Sequence, residues 1–412
     1  MSQSPNEPAI DRPPVTADVA PPAATEEITQ TRIGKFKLPT ATLRAYTMLF
    51  ALVVIWLFFQ WATVDERNPY GLFLSAGNLS NLFQQMAVTG VLAVGMLMII
   101  VAGQIDLSVG SVVGLVGGIA AMTQGWGLLP SLGSAILIGL LIGAVQGTLV
   151  AYANIPAFIV TLGGLLAWRG VILGLTKGST IPVELPVFRT LGRDFLSPTV
   201  GWALAAIAIA AIVWMTIRRN QARQRHGLSV PGIQITIARI LFPAIAIAGF
   251  TYMLNKHAGI PIPVIILLAV ALLGSFLTQN TTFGRYLYAI GGNPDAARLS
   301  GISLRRYILS AFCLMGALAG VASLLHTARV GSASPDAGNL MELDAIAACV
   351  IGGTSLMGGR GTVFGACLGA LIMASLDNGM SLLSIQNYTQ YIVKGAVLVT
   401  AVGFDMLGRR RS

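Results

Sequence analysis

Long apolar runs alternate with short polar connections along almost the whole chain after residue 40. A membrane-spanning helix needs about 20 mostly apolar residues, and about twelve runs approach that length. They cover residues 44–62, 82–103, 107–124, 132–152, 157–175, 200–217, 233–254, 262–279, 307–326, 343–357, 362–380 and 391–407. The tenth run is short and only GQIDLS (103–108) separates the second from the third, so broken or re-entrant helices are expected. The pattern predicts an all-α polytopic membrane protein with about 10–12 transmembrane segments.

The beginning of the chain does not follow this pattern. Residues 1–30 hold six prolines, contain no aromatic residue and show no hydrophobic period. Such a segment cannot bury enough apolar surface to offset the entropy of ordering. The first long apolar run starts only near Tyr46 and no small-residue cleavage site follows it, which argues against a signal peptide. We therefore expect residues 1–40 to be a disordered cytoplasmic tail.

Lysine and arginine predict the orientation, because they concentrate in the cytoplasmic connections of membrane proteins. With the N-terminus inside, the inside segments hold 17 of the 26 basic residues, the outside segments hold six, and three lie within or beside spans. This division predicts that both termini are cytoplasmic. A short basic tail, 409–412, then ends the chain inside.

Composition agrees with a membrane protein and excludes several other classes. Hydrophobic residues make up 55% of the chain and charged residues 10%, against about 25% charged residues in soluble domains. The net charge of +10 is explained by cytoplasmic helix ends, so nucleic-acid binding is not expected. Cys313, Cys349 and Cys367 lie in apolar runs without CxxC spacing and are interpreted as buried thiols. The three histidines are dispersed, so no metal site is expected.

One polar stretch, GRYLYAIGGNPDAARLSGISLRR (284–306), lies between two apolar runs and resembles a short helix. Asn293 suits an N-cap, Pro294 the first helical position, and Gly301 the residue after the C-cap. About seven helical residues are too few to be stable alone, so the helix must dock on a partner or rest on lipid headgroups. The small residues Ala296 and Ala297 favour a closely fitted protein partner.

This stretch resembles the cytoplasmic coupling loop of permease subunits from bacterial ABC sugar importers of the ribose/xylose/galactose type. Three further blocks are similar to that family: LAVGMLMIIVAGQIDLSVGSVVGL (92–115), IPAFIVTLGGLLAWRG (155–170) and MELDAIAACVIGGTSLMGGRGTVFGACLGALI (341–372). An insertion of about 70 residues, between roughly 200 and 280, is similar to the xylose-type members. The resemblance implies a permease domain over 41–408, with a coupling loop at 280–306 and D-xylose as the sugar.

The same resemblance implies a division of labour among several chains. No G-x-x-x-x-G-K-[ST] sequence occurs here, so ATP and magnesium are expected in a separate ATPase and no cofactor in this chain. The implied partners are a cytoplasmic ATPase dimer, a periplasmic sugar-binding protein, a second copy of the permease and the lipid of the bacterial inner membrane. The chain itself is therefore expected to be a transport subunit and not an enzyme.

Two groups of candidate site residues follow from these observations. The residues expected to couple the chain to the ATPase are Gly284, Arg285, Gly291, Asn293, Asp295, Ala296, Ala297, Arg298, Leu299, Gly301 and Ile302. The polar residues in or beside the spans, which are candidates for the translocation pathway, are Gln104, Asp106, Ser108, Thr161, Glu342, Asp344 and Asn378. Asp106 and Asp344 also fit helix caps, so capping and sugar contact both remain open.

Two other functions are compatible with the hydropathy pattern. An ion-coupled secondary transporter would also use broken helices. A membrane enzyme acting on lipid-linked substrates would be expected to cluster acids or histidines at one membrane face, whereas the acids here are scattered. The polar helix at 293–301 favours the importer, because a carrier that works alone has no ATPase to engage.

Overall fold

The described part of the chain forms two compact units. The computed structural model describes residues 30–33, 36–66 and 68–409. Most of the predicted tail (1–40) and nearly all of the basic tail (409–412) lie outside these ranges. The first unit ends at Arg44 and the second begins at Ala45.

Part of the predicted tail is structured. In the first unit, strand β1 (Gln30–Ile33) pairs antiparallel with β2 (Phe36–Pro39), with Gln30 opposite Pro39. The sequence prediction treated these residues as disordered, which differs from the structure. Thr31, Ile33 and Phe36 have side chains that favour strands, and the compositional argument for disorder had rested on the residues before them.

The second unit is built almost entirely of helices. The described helices are α1 Thr40–Ala62, α2 Ala76–Val101, α3 Val109–Thr123, α4 Leu128–Ala151, α5 Ala157–Thr176, α6 Pro186–Arg193, α7 Pro198–Arg225, α8 Ile233–Asn255, α9 Ile262–Asn280, α10 Thr282–Gly292, α11 Pro294–Leu299, α12 Leu304–Val330, α13 Met341–Ile351, α14 Val363–Leu382 and α15 Asn387–Arg409. Four two-residue strands complete it: β3 Ile181–Pro182, β4 Phe195–Leu196, β5 Ile260–Pro261 and β6 Ser332–Ala333.

Among the described residues, nine helices are long and apolar enough to cross a membrane: α2, α3 with the turn after it, α4, α5, α7, α8, α9, α12 and α14. Within α1, the apolar stretch Thr47–Ala62 is shorter than these nine helices. This confirms an all-α polytopic membrane protein. The tenth predicted run (343–357) is not one continuous span, because α13 ends at Ile351. The glycines that follow favour turns, and Gly353 has a φ of +85° that other residues rarely adopt.

Helix α2 lies at the centre of the second unit. Its residues from Val91 to Val101 are buried on every side, and it contacts α9, α12, α13 and α14. A helix that is apolar all round is expected in such a position. Helices α4 and α12 approach so closely that a side chain added at Gly139 would collide with the carbonyl oxygen of Gly316. Small residues allow this approach, which gives van der Waals contact where lipid supplies no hydrophobic drive.

The unit has two distinct ends. At one end, which we call the strand face, β3 pairs with β6 and β4 with β5, and Arg329 donates to Asn81 Oδ1 near the start of α2 (3.0 Å). Helix α2 is 26 residues long, which corresponds to about 39 Å. At its other end the Gly359 amide donates to the Val101 carbonyl oxygen (2.9 Å). We call this end, with α10 and α11, the coupling face.

Two segments of the unit are helical over only part of their length. Residues 102–108 connect α2 to α3, and residues 331–340 connect α12 to α13, without a continuous helix. The starts of the two short helices meet: a side chain at Gly110 would collide with the Gly338 carbonyl oxygen, and one at Gly338 with that of Gly110. The first amides of α3 and of α13 therefore lie close together inside the bundle.

Candidate functional sites

The connection before α3 is held by a buried polar network. Asp106 is 3% exposed, and its Oδ1 accepts hydrogen bonds from the Ser108 amide (2.8 Å) and hydroxyl (2.7 Å). Gln146 of α4 donates to Ser108 Oγ (2.8 Å), and Thr161 of α5 donates to the Ile105 carbonyl oxygen (3.3 Å). Asp106 therefore organises the turn that precedes α3. Helices α4 and α5 hold the turn, and with it the buried acid, through the Gln146 amide and the Thr161 hydroxyl.

The connection before α13 is held from α5. Arg169 Nη1 donates to the carbonyl oxygens of Pro335 (2.5 Å) and Ala337 (2.9 Å). Glu342, in the first turn of α13, is 6% exposed, and its carboxylate lies against Gly110 at the start of α3. A carboxylate is stabilised at the positive N-terminal end of a helix. The meeting point of the two short helices is thus polar and carries both Glu342 and the nearby guanidinium of Arg169.

The structure brings together some of the candidate pathway residues and separates others. Asp106, Ser108 and Thr161 form one network. Asn378 instead exchanges two hydrogen bonds with Asn78, of 2.7 and 3.0 Å, near the strand face. Gln104 lies in the connection after α2, and its backbone amide donates to the Ile99 carbonyl oxygen (3.0 Å).

Asp344 belongs to a separate ionic cluster that joins three helices. Lys394 of α15 forms ion pairs with Asp344 of α13 (3.0 Å) and with Asp377 of α14 (2.9 Å). Each of the three side chains is less than a third exposed. The cluster attaches α15 to the half-length helix α13, so Asp344 does not act simply as a helix cap.

Removing the cation of this cluster should destabilise the protein. Lys394→Ala leaves two carboxylates uncompensated, and breaking a buried pair costs about 3–5 kcal/mol. We expect the free energy of unfolding in detergent to fall by less than that, because the three side chains are only partly buried. The triple variant Lys394→Ala, Asp344→Asn, Asp377→Asn removes the charges together and should recover most of the loss. If the single variant unfolds like the parent protein, the cluster does not hold α15.

The sequence prediction missed Gln146, Arg169, Asp377 and Lys394 as site residues, and it did not pair Asp344 with Lys394. Arg169 and Lys394 are charged residues inside or beside apolar runs, and such residues are functional or structural sites by default. That signal could have found both residues. It could not have found their contacts, because Arg169 binds residues more than 160 positions away.

The polar stretch between α9 and α12 forms the expected short helix. Asn293 Oδ1 accepts the Ala296 amide (3.0 Å), Pro294 occupies the first turn, and Gly301 has a φ of +80°. The prediction of the N-cap and of the left-handed glycine is confirmed. Helix α11 has six residues instead of the expected seven.

The exposed surface of α11 differs from the prediction. Ala297 is 4% exposed because it faces its own chain, so it cannot belong to a patch that a partner touches. Ala296, Asp295 and Arg298 are exposed, and Leu299 is 90% exposed. Ile302 is half-buried. The outward apolar anchor of this helix is therefore Leu299, with Ala296 beside it.

Two glycines place α10 against the ends of other elements. A side chain at Gly284 would collide with the Thr278 carbonyl oxygen of α9. A side chain at Gly291 would collide with the Val101 carbonyl oxygen at the end of α2, and would lie 2.8 Å from the Gly359 amide nitrogen. Val101 immediately precedes the connection to α3, and Gly359 lies in the loop that follows α13. The end of α10 thus touches the end of α2, where the connection to α3 begins, and the loop that follows α13.

Comparison with known proteins defines the class. A family profile described as "Branched-chain amino acid transport system / permease component" matches residues 78–402, and the chain belongs to this family of transport-system permeases. The Xylose transport system permease protein XylH of Escherichia coli K12 is 45% identical over 378 residues, which covers 91% of this chain and 95% of that protein. XylH of Haemophilus influenzae is also 45% identical, over 91% of this chain and all of its own length.

A more distant relative has a different sugar in its name. The Ribose import permease protein RbsC of Escherichia coli K12 is 35% identical over 379 residues, which covers 92% of this chain and 98% of that protein. No solved structure matches the chain. The family match and the permease relatives identify the chain as a transport permease and not as an enzyme.

Proposed function

We propose that this chain is the membrane permease of an ATP-driven ABC importer that moves D-xylose from a periplasmic binding protein into the cytoplasm. Two copies would associate with an ATPase dimer that binds ATP and magnesium. The observation that carries the proposal is the contact of Gly291 with Val101 and Gly359. It joins the exposed helix α11, through α10, to the start of the connection that carries Asp106 and to the loop that follows α13, the helix that carries Glu342. The higher identity to the xylose permeases than to the ribose permease favours xylose.

In this proposal the chain crosses the bacterial inner membrane twelve times. Ten crossings are continuous helices, namely eight of the nine long apolar helices together with α1 and α15. The ninth, α3, and the shorter α13 each complete a crossing together with a non-helical connection. An even number of crossings places both termini on one side. The coupling face is cytoplasmic, which agrees with the 17 basic residues assigned to that side of the membrane against six on the other.

The geometry supports a route from ATP to the sugar. Movement of the ATPase against Leu299 and Ala296 would shift α10, and Gly291 would pass the shift to the end of α2 and to the loop after α13. The Asp106–Ser108 turn and the Glu342 region would then rearrange together. Their carboxylate, hydroxyl and amide groups can hydrogen-bond to sugar hydroxyls. We retain Gln104, Asp344 and Asn378 as candidate pathway residues of lower rank, because each lies outside the Asp106 network.

Reconstitution tests the energy source. Purified permease in liposomes, with the ATPase and the binding protein added, should accumulate labelled xylose when ATP is supplied. The permease alone should accumulate none under a proton or a sodium gradient. Gradient-driven accumulation by the single chain would contradict the importer and establish a secondary transporter. Accumulation of ribose but not xylose by the full complex would correct the substrate only.

The homodimer is supported by the outer face of α5. Gly163, Ala167, Gly170 and Gly174 are exposed along one side, and nothing lies within 4 Å of a side chain added at the three glycines. Small residues at this spacing let two helices approach closely in a membrane.

Enlarging one of these residues tests that assignment. Gly170→Trp should shift the permease from dimer to monomer in mild detergent, as measured by light scattering. Gly249→Trp on α8 is the matched control, because Gly249 is equally exposed and equally free of neighbours. It should leave the dimer intact. If both variants stay dimeric, the copies associate through another face.

A further inference from the structure

A polar cavity lies beside the coupling helix, at the point where the chain enters α12. Its volume is about 430 Å³, and it is open to solvent. The lining includes Tyr286, Ser300, Ser303, Arg306, Tyr307 and Ser310. Tyr286 packs edge-to-face on Tyr307, with ring centroids 5.1 Å apart, which gives the cavity a firm aromatic wall. Gly301 and Ile302 complete the lining, beside the serines and Arg306.

Arg306 has no ionic partner in the part of the chain whose side chains are described. The ion pairs found there belong to Lys394, on a different set of helices. Ser310 donates to the backbone oxygen of Arg306 (2.8 Å), so its hydroxyl is bound to the helix and does not occupy the guanidinium. Arg306 lines the cavity, and a guanidinium without an ionic partner is suited to a carboxylate, which it can bind through two parallel hydrogen bonds.

The positive charge around the cavity favours an acidic ligand. Residues 284–306 contain four arginines and one acid, Asp295. Such an excess raises the local concentration of anionic groups and orients an approaching partner. The neighbouring Arg305 differs from Arg306 in its surroundings, because its guanidinium lies 5.9 Å from the ring centre of Tyr152 and is not part of the cavity wall.

We infer that this cavity receives an acidic side chain, Asp or Glu, from the ATPase subunit, and that Arg306 binds its carboxylate. This inference rests on the proposed function, since it assigns a second contact to the same docking surface. Leu299 supplies an apolar anchor on one side of Gly301, and Arg306 supplies a directional ionic contact on the other. The ionic contact fixes the rotation of the ATPase about the apolar anchor.

The test compares charge reversals at the two adjacent arginines. Full-length permease is placed in phosphatidylcholine nanodiscs, and binding of the purified ATPase subunit of the same transporter is measured. Arg306→Glu should raise Kd by about thirtyfold or more, the loss expected when an interfacial charge pair is broken. Arg305→Glu changes the net charge equally and should raise Kd by less than about fivefold. Arg306→Lys keeps the charge and should retain most of the affinity. A lysine substitution at the matching acid of the ATPase should restore binding to Arg306→Glu.

Each other outcome overturns the inference in a recognisable way. Equal losses at positions 305 and 306 would show that only the general field matters. An effect of Arg306→Glu that is confined to nanodiscs with anionic lipid would show that the cavity binds lipid headgroups. Leu299→Asp distinguishes a failure of the cavity assignment from a failure of the proposed docking surface. If it weakens ATPase binding while Arg306→Glu does not, the cavity assignment alone fails. If neither variant has an effect, the docking surface itself is wrong.

Discussion

Leu299→Asp should strongly weaken the binding of the ATPase to the permease. Leu299 is 90% exposed on a polar surface, in a helix held rigid by the Asn293 cap and by the left-handed Gly301. Burial of a leucine side chain contributes about 1.5–3 kcal/mol, and a buried unpaired carboxylate adds a further penalty. We therefore expect Kd for the ATPase to rise by about a hundredfold, with loss of ATP hydrolysis stimulated by the loaded binding protein.

The control for this variant is Leu228→Asp. Leu228 is also exposed (58%), but it lies in the turn between α7 and α8 and far along the chain from α11. It should bind the ATPase normally. Ala296→Trp should weaken binding as well, whereas Ala297→Trp would be uninformative because Ala297 is buried in its own chain. Normal binding by Leu299→Asp would mean that α11 only rests on lipid headgroups.

Gly291→Ala should leave the ATPase bound but separate ATP hydrolysis from transport. The added methyl group would collide with the Val101 carbonyl oxygen, and backbone cannot move aside as a side chain can. The end of α10 would therefore be displaced from α2 and from the loop after α13. Helix α11 keeps its own cap and its exposed residues, so ATPase binding should stay within a few-fold of the parent value while xylose accumulation falls by more than about tenfold.

A neighbouring glycine provides the matched control. Gly292 is the next residue of α10, and nothing lies within 4 Å of a side chain added there. Gly292→Ala should transport and hydrolyse ATP normally. Thermal unfolding of both variants in detergent shows whether the fold is kept. Normal coupling in Gly291→Ala would mean that the contact with α2 does not transmit the movement of the ATPase.

Local features of these sites were predictable from the sequence, because they depend only on neighbouring residues. The cap at Asn293 and the positive φ at Gly301 depend on residues within one turn of the helix. The apolar runs predicted most helices in the same way, since a span needs only length and composition. The interruption before α3 was also visible, as a polar interval in a long apolar region.

Contacts between distant segments could not be predicted in this way. The inward orientation of Ala297 depends on what its own chain places beneath α11, which no helical period in six residues reveals. The ionic cluster joins residues of three helices, and Arg169 binds a connection that follows α12. The short tenth run (343–357) indicated a broken helix, but hydropathy could not show that residues 331–340 precede it as non-helical chain, held by contacts with Arg169.

The meeting of α3 with α13 has a consequence for biosynthesis. Gly110 and Gly338 are more than 200 residues apart, so α3 is made and inserted long before the segment that completes its surroundings. Non-helical chain is tolerated at membrane depth only where protein covers it, and the start of α3 at Gly110 lacks its contacts with Gly338 and Glu342 until that later segment is made. The nascent chain must therefore remain shielded by the insertion machinery until α13 is made. A chain truncated after α12 should be recognised as unfinished and degraded.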